Sequence, residues 1–100
     1  MKTNEGDNLV TVTLPDQCIA TNANSIKDQI NKFAGGPYKY ICLDFSETRH
    51  IDAAGIGAIA AAVFQARPKG YVLSMQGATG QVLDMLAATG VDRLLANTRE

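Results

Sequence analysis

Hydrophobic positions change their period along the chain, and each change predicts an element. Leu9-Val10-Thr11-Val12-Thr13-Leu14 is rich in β-branched residues and runs into Pro15-Asp16, a dipeptide that stops a ladder and turns the chain, so a first strand is expected there. Ala23, Ile26, Ile30 and Phe33 then recur at helical spacing, with Asn22 or Asn24 available as N-cap and Gly35-Gly36-Pro37 as a stop. The run from Tyr38 to Asp44 is apolar at nearly every position after Lys39, which predicts a central strand covered on both faces. Ile56, Ile59, Ala60, Val63 and Phe64 form the stripe of a helix packed on a sheet, running from about Ala53 to Ala66 and closed by Pro68 and Gly70. Tyr71 to Met75 reads as a short strand, Val82, Met85, Leu86 and Thr89 as a helix ending at Gly90, and Val91, Leu94 and Leu95 as one more helical turn. The order β, α, β, α, β, α with short linkers and no repeat predicts an α/β fold, a mixed sheet with a parallel core and helices packed on it through right-handed crossovers.

Composition narrows the function more than the fold. At 100 residues, 46% hydrophobic and 19% charged, the chain reads as one globular domain over residues 1–100, with the polar start, 1–7, expected to be flexible. Lys and Arg number 9 against 10 Asp and Glu, so there is no cationic excess to neutralise a phosphate backbone or an anionic lipid surface, and no nucleic-acid partner is expected. The start carries no apolar signal run, and the longest apolar stretch, Ile56 to Phe64, is too short to span a bilayer; a cytoplasmic protein without membrane insertion is expected. Cys18 and Cys42 lie far apart, and a single His50 cannot build a zinc site with them, so both thiols read as reduced and buried.

The segment from Asp44 to Gly57 leaves the C-terminal end of the predicted central strand and enters a helix, the place where open α/β sheets build their sites. Asp52 is placed as an N-cap, its carboxylate accepting from free amides and opposing the positive end of the helix dipole. Gly55 and Gly57 weaken the first turns of the helix, which points either to close approach of another molecule or to tight packing on the sheet. Beyond them, Ala58, Ala61, Ala62, Gln65 and Ala66 lie off the apolar stripe, and no charge occurs between Asp52 and Arg67. An uncharged alanine face predicts a docking surface for another protein, formed by Asp52, Ala53, Ala54, Gly55, Gly57, Ala58 and Ala61; the alternative is that the alanines supply helix propensity or are covered by the chain's own elements.

Enzymatic readings are weaker. Gly55-x-Gly57-x-x-Ala60 fits a dinucleotide fingerprint only loosely, since the first glycine stands well beyond the strand and no acidic residue ends the next one. Ser46, His50 and Asp52, or Cys42 with His50, lack the spacing of a nucleophile and its base, and Asp44, Glu47 and Asp52 read as caps and a solvated side chain rather than as ligands of a divalent ion. No catalytic residue, metal, cofactor or small-molecule substrate is expected.

Asp44-Phe45-Ser46-x-Thr48-x-x-Ile51-Asp52-x-x-Gly55-Ile56-Gly57, followed by Ala87-Ala88-Thr89-Gly90-Val91-Asp92-Arg93-Leu94-Leu95, resembles the STAS domain of bacterial anti-sigma factor antagonists and of sulfate transporter tails. The resemblance implies a partner switch, in which the small protein binds an anti-sigma factor of serine-kinase type, frees the sigma factor, and is released when phosphorylated. It places the phosphoacceptor at Ala53, which has no hydroxyl, and puts Ile19 where the family often carries an acidic residue. Ser46, Thr48, Thr21 and Ser25 remain as substitute acceptors, each also readable as a cap or turn residue. The other role consistent with the resemblance is that of a non-phosphorylated interaction subunit in a transport or signalling assembly.

Overall fold

The computed structural model describes residues 2–97, with the backbone alone for 96 and 97. In chain order the elements are β1 (Lys2–Glu5), β2 (Leu9–Thr13), β3 (Gln17–Cys18), α1 (Ala23–Phe33), β4 (Tyr40–Asp44), β5 (His50–Ile51), α2 (Ala53–Ala66), β6 (Val72–Gln76), α3 (Gly80–Thr89), α4 (Val91–Leu94) and β7 (Ala96–Asn97), with a 3-10 turn at Arg67–Lys69 after α2. The main sheet has 5 strands in the order β1-β2-β4-β6-β7, and β3 and β5 make a separate ladder of 2 strands. β1 runs antiparallel to β2; β2, β4, β6 and β7 are parallel to one another.

Register explains the layering. Val10, Ile41 and Leu73 align across the three central strands and are buried, with Val12 and Leu43 continuing the same face. Leu9 and Tyr40 align on the opposite face, where both are more than two-fifths exposed. The expectation that β4 is covered on both faces is therefore corrected at Tyr40: the strand is central, but the second face is open at that end. Cys42 is buried there because Thr11 and Ser74 flank it in register.

Within the start read as flexible over 1–7, Lys2–Glu5 form β1, which folds back on β2 through a turn closed by the Gly6 amide donating to the Leu9 carbonyl at 2.7 Å. An edge strand needs no buried apolar face, and its polar sequence gave no periodic signal. Met1 and residues 98–100 lie outside the described residues.

α2 departs from its expected stripe in both directions. Ile56, Ile59 and Val63 are buried as expected, but Phe64 is 57% exposed. Ala58, Ala62 and Ala66 are buried instead, since α2 is covered on a second side by α1. Ala54, Ala58 and Ala61 face Ala20, Ala23, Asn24 and Lys27 across a groove of about 340 Å³, and the Asn31 amide donates to the Gln65 side chain farther along. Small side chains let the two helices approach closely, so much of the alanine face is the chain's own packing surface.

Candidate functional site

The two-stranded ladder β3–β5 carries the chain into α2, and Asp52 makes the junction. Its backbone is extended (φ −111°, ψ −176°), its Oδ1 accepts from the Gly55 amide at 2.9 Å and its Oδ2 accepts from the Ala20 amide at 3.2 Å. Its own amide donates to the Cys18 carbonyl at 3.1 Å. One carboxylate thus caps the helix and ties it to the segment between β3 and α1. The Gly55 amide above all, with the Ala20 and Ala54 amides and the nearby His50 adding to it, holds the Asp52 carboxyl below its ordinary range against the opposing effect of burial.

Further side chains hold this junction in place by replacing missing backbone partners. Gln81, from the first turn of α3, accepts from the Ile51 amide at 3.0 Å and donates to the Ile51 carbonyl at 2.8 Å, doing for β5 what a neighbouring strand would do. Asn22 stands at the N-cap position of α1 but makes no cap bond; its side chain accepts from the Ile19 amide at 2.9 Å and donates to the Gln17 carbonyl at 2.7 Å. The Thr48 hydroxyl donates to the Pro15 carbonyl at 2.8 Å. Burial pushes the Cys18 thiol up to about 11, which leaves it protonated and unreactive near neutrality.

The two glycines of α2 have different reasons. A Cβ at Gly55 would stand 2.1 Å from the Cys18 carbonyl oxygen and 2.8 Å from Ile51 Cγ1, so this position lets the helix seat on the β3–β5 ladder. A Cβ at Gly57 would meet nothing within 4 Å, and the residue is exposed in helical conformation. Gly57 therefore lowers helix stability with no packing return inside the chain.

Of the expected docking residues, Ala53, Ala54 and Gly57 are exposed, Asp52 and Ala61 are partly buried, and Gly55 and Ala58 are buried. Phe64, which the sequence reading placed in the core stripe, extends the exposed side of α2. Ser46, Thr21 and Ser25 are exposed, whereas Thr48 is 5% exposed with its hydroxyl engaged. Among the described residues no hydrogen bond joins Cys42, Ser46, His50 and Asp52, and no three His, Cys, Asp or Glu side chains gather as a group able to hold a metal ion. Gln81 and Lys27 were not singled out by sequence reasoning, and Asn22 was offered there only as an N-cap, because their roles depend on elements that meet only in three dimensions.

A mixed sheet with a parallel core, helices laid on it and a capped helix start carried by its own short ladder define an α/β domain. The STAS domain family model matches residues 1–100, and the chain belongs to that family. No curated protein matches the sequence. Among solved structures, the fold is similar to TM1081 of Thermotoga maritima, a candidate anti-sigma factor antagonist, at 21% identity and a TM-score of 0.83 over 96% of this chain and 83% of that one. It is also similar to the anti-sigma factor antagonist SpoIIAA in its unphosphorylated form, at 12% identity and a TM-score of 0.80 over 97% and 86% of the two chains. The murine anion transporter Slc26a9 contains a similar region, at 19% identity and a TM-score of 0.76 over 90% of this chain and 15% of that one. No helix among the described residues is long and apolar enough to cross a membrane.

Proposed function

We propose that this chain is a cytoplasmic, non-enzymatic protein-binding module of the anti-sigma factor antagonist type, which docks an anti-sigma factor of serine-kinase type through the exposed side of the first turns of α2. The observation that carries the reading is the character of that surface: Ala53, Ala54 and Gly57 are exposed, small and uncharged, and Gly57 has no internal reason to lack a side chain. Ala53 takes the phosphoacceptor position without a hydroxyl, so the complex persists where a phosphorylatable relative would be released. Ala58 and Gly55 support the surface from beneath.

The experiment pairs this chain with each serine-kinase anti-sigma factor of the same genome in titration calorimetry. One of them should bind, and Ala54→Arg should weaken that binding by at least about 2 kcal/mol through a bulky charge in a desolvated contact. With ATP and magnesium, Ala53→Ser should be phosphorylated by the partner and then released, since phosphate adds about −1.5 to −2 charges at the contact while being favourable at a helix N-terminus. Binding indifferent to Ala54→Arg would remove this surface. Failure of every kinase to bind, or an Ala53→Ser chain that binds and stays unmodified, would favour the second reading, a non-phosphorylated interaction subunit of a transport or signalling assembly. That reading draws support from the missing hydroxyl and from the likeness to a region of an anion transporter.

A further inference from the structure

A second depression, sharing no residue with the groove beside α1, lies where the end of α2, the start of β6 and α4 meet. We propose that it binds a small soluble organic anion, a carboxylate or phosphate head on an apolar body. Its volume of about 290 Å³ lies at the lower edge of ligand-binding cavities. Val63, Leu73 and Leu95 line it and are 2%, 5% and 6% exposed, so they form an apolar floor. The Tyr71 hydroxyl is committed to the Gly36 carbonyl at 2.8 Å, which fixes the ring as a wall.

Charge at the rim sets the class of ligand. Arg67 and Arg93 come from separate elements and both line the cavity, and among the described residues neither forms an ion pair. Arg67 Nη2 donates to the Leu94 carbonyl at 3.1 Å, which holds that guanidinium beside α4 with its other donors free for a ligand. Asp92, next to Arg93 in sequence, does not line the cavity and pairs with neither arginine. In a chain of net charge −1, two arginines lining an apolar floor, one of them held in place by the Leu94 carbonyl, call for an anion, and their planar donors suit a carboxylate or a phosphate. A free molecule and a lipid headgroup share this chemistry, and phenyl phosphate and phosphatidylglycerol vesicles separate the two in the test.

The test titrates the full ¹⁵N-labelled chain with phenyl phosphate and follows its amide signals. Saturable shifts confined to residues 63–73 and 91–95, with Kd below about 1 mM, are expected. Inorganic phosphate and benzyl alcohol, which each supply half of the recognition, should bind at least about tenfold more weakly. Arg67→Gln with Arg93→Gln should weaken phenyl phosphate at least about tenfold while the Tm stays within about 2 °C of the parent, and Arg93→Gln alone, which leaves the Arg67–Leu94 bond intact, should show part of that loss. Absence of saturable shifts, shifts centred elsewhere, unchanged affinity in the double variant, or binding to phosphatidylglycerol vesicles without binding to phenyl phosphate would each overturn the proposal.

Discussion

Replacing Gly57 and Gly55 one at a time by alanine separates a glycine kept for the fold from one that the fold does not need. At Gly57 the new methyl would meet nothing within 4 Å, and the backbone is already helical, so the intrinsic preference for alanine is realised almost undiminished. That preference is about 0.8–1 kcal/mol, part of it from the reduced freedom of the unfolded chain. For a domain of this size the gain corresponds to a rise in Tm of roughly 3–6 °C.

At Gly55 the same methyl would stand 2.1 Å from the Cys18 carbonyl oxygen, and that carbonyl is held by the Asp52 amide at 3.1 Å. The nearest obstacle is the Cys18 backbone, with the Ile51 side chain beside it, so α2 has to lift off the β3–β5 ladder, and overpacking of this kind costs about 1–3 kcal/mol or more. Even after the propensity gain, Gly55→Ala should be the less stable chain by at least about 1 kcal/mol. Thermal melts and guanidinium titrations of the isolated chain measure both changes. A neutral or destabilising Gly57→Ala, or a Gly55→Ala as stable as the parent, would refute the packing argument. Calorimetry with the bound partner adds the functional half: a Gly57→Ala chain that is more stable yet binds less tightly marks a point where the partner approaches α2 closely, and undiminished affinity removes Gly57 from the contact.

Two further outcomes test the junction below α2. Gln81→Ala leaves the Ile51 amide and carbonyl without their side-chain partner and should lower stability by about 1–3 kcal/mol, with faster hydrogen exchange at Ile51; an unchanged Tm and a still-protected amide would show that the clamp is dispensable. Because the folded Asp52 carboxyl sits below its ordinary 3.8, its stabilisation is present above that pH and is lost as the pH falls through the lower folded value. Asp52→Asn keeps a capping oxygen but no charge, so its deficit relative to the parent should shrink in melts below about pH 4; a deficit constant down to pH 2 would contradict the charge-based account.

What was legible in the sequence follows the strength of local patterns. Helix α2 over Ala53–Ala66 and strand β4 carry dense apolar signals with clear stops, and both lie where the residues indicate. β1 is polar on both sides, and β3 and β5 are two residues each, too short for any alternation to show. The reading of Phe64 as core and Ala58 as surface fails for a different reason. On a helix packed on one side the large residues mark the buried face, but α2 is also covered by α1, and there the small residues are buried while the large one is left outside. Asp52 as the cap of α2 was legible because capping is local, whereas the Gln81 clamp and the pairing of Arg67 with Arg93 around one cavity join segments that the one-dimensional pattern never brings together.

The way the α2 start is held also bears on how a switch at this position would work. Asp52 binds Gly55 and Ala20, Gln81 binds both polar groups of Ile51, Asn22 bridges Gln17 and Ile19, and Gly55 rests against the Cys18 backbone. Backbone groups around the junction are thus satisfied by side chains from separate elements, so a partner meeting Ala53, Ala54 and Gly57 would find a surface that is already ordered, and little binding energy would be lost to ordering it. The same rigidity means that a charge introduced at residue 53 cannot be relieved by refolding the helix start, where it would in fact be electrostatically welcome. Its effect would fall on the partner's side of the contact. Under the proposed function, then, release by phosphorylation would need no conformational change in the chain itself, and the neutral methyl of Ala53 would leave the surface in its binding form.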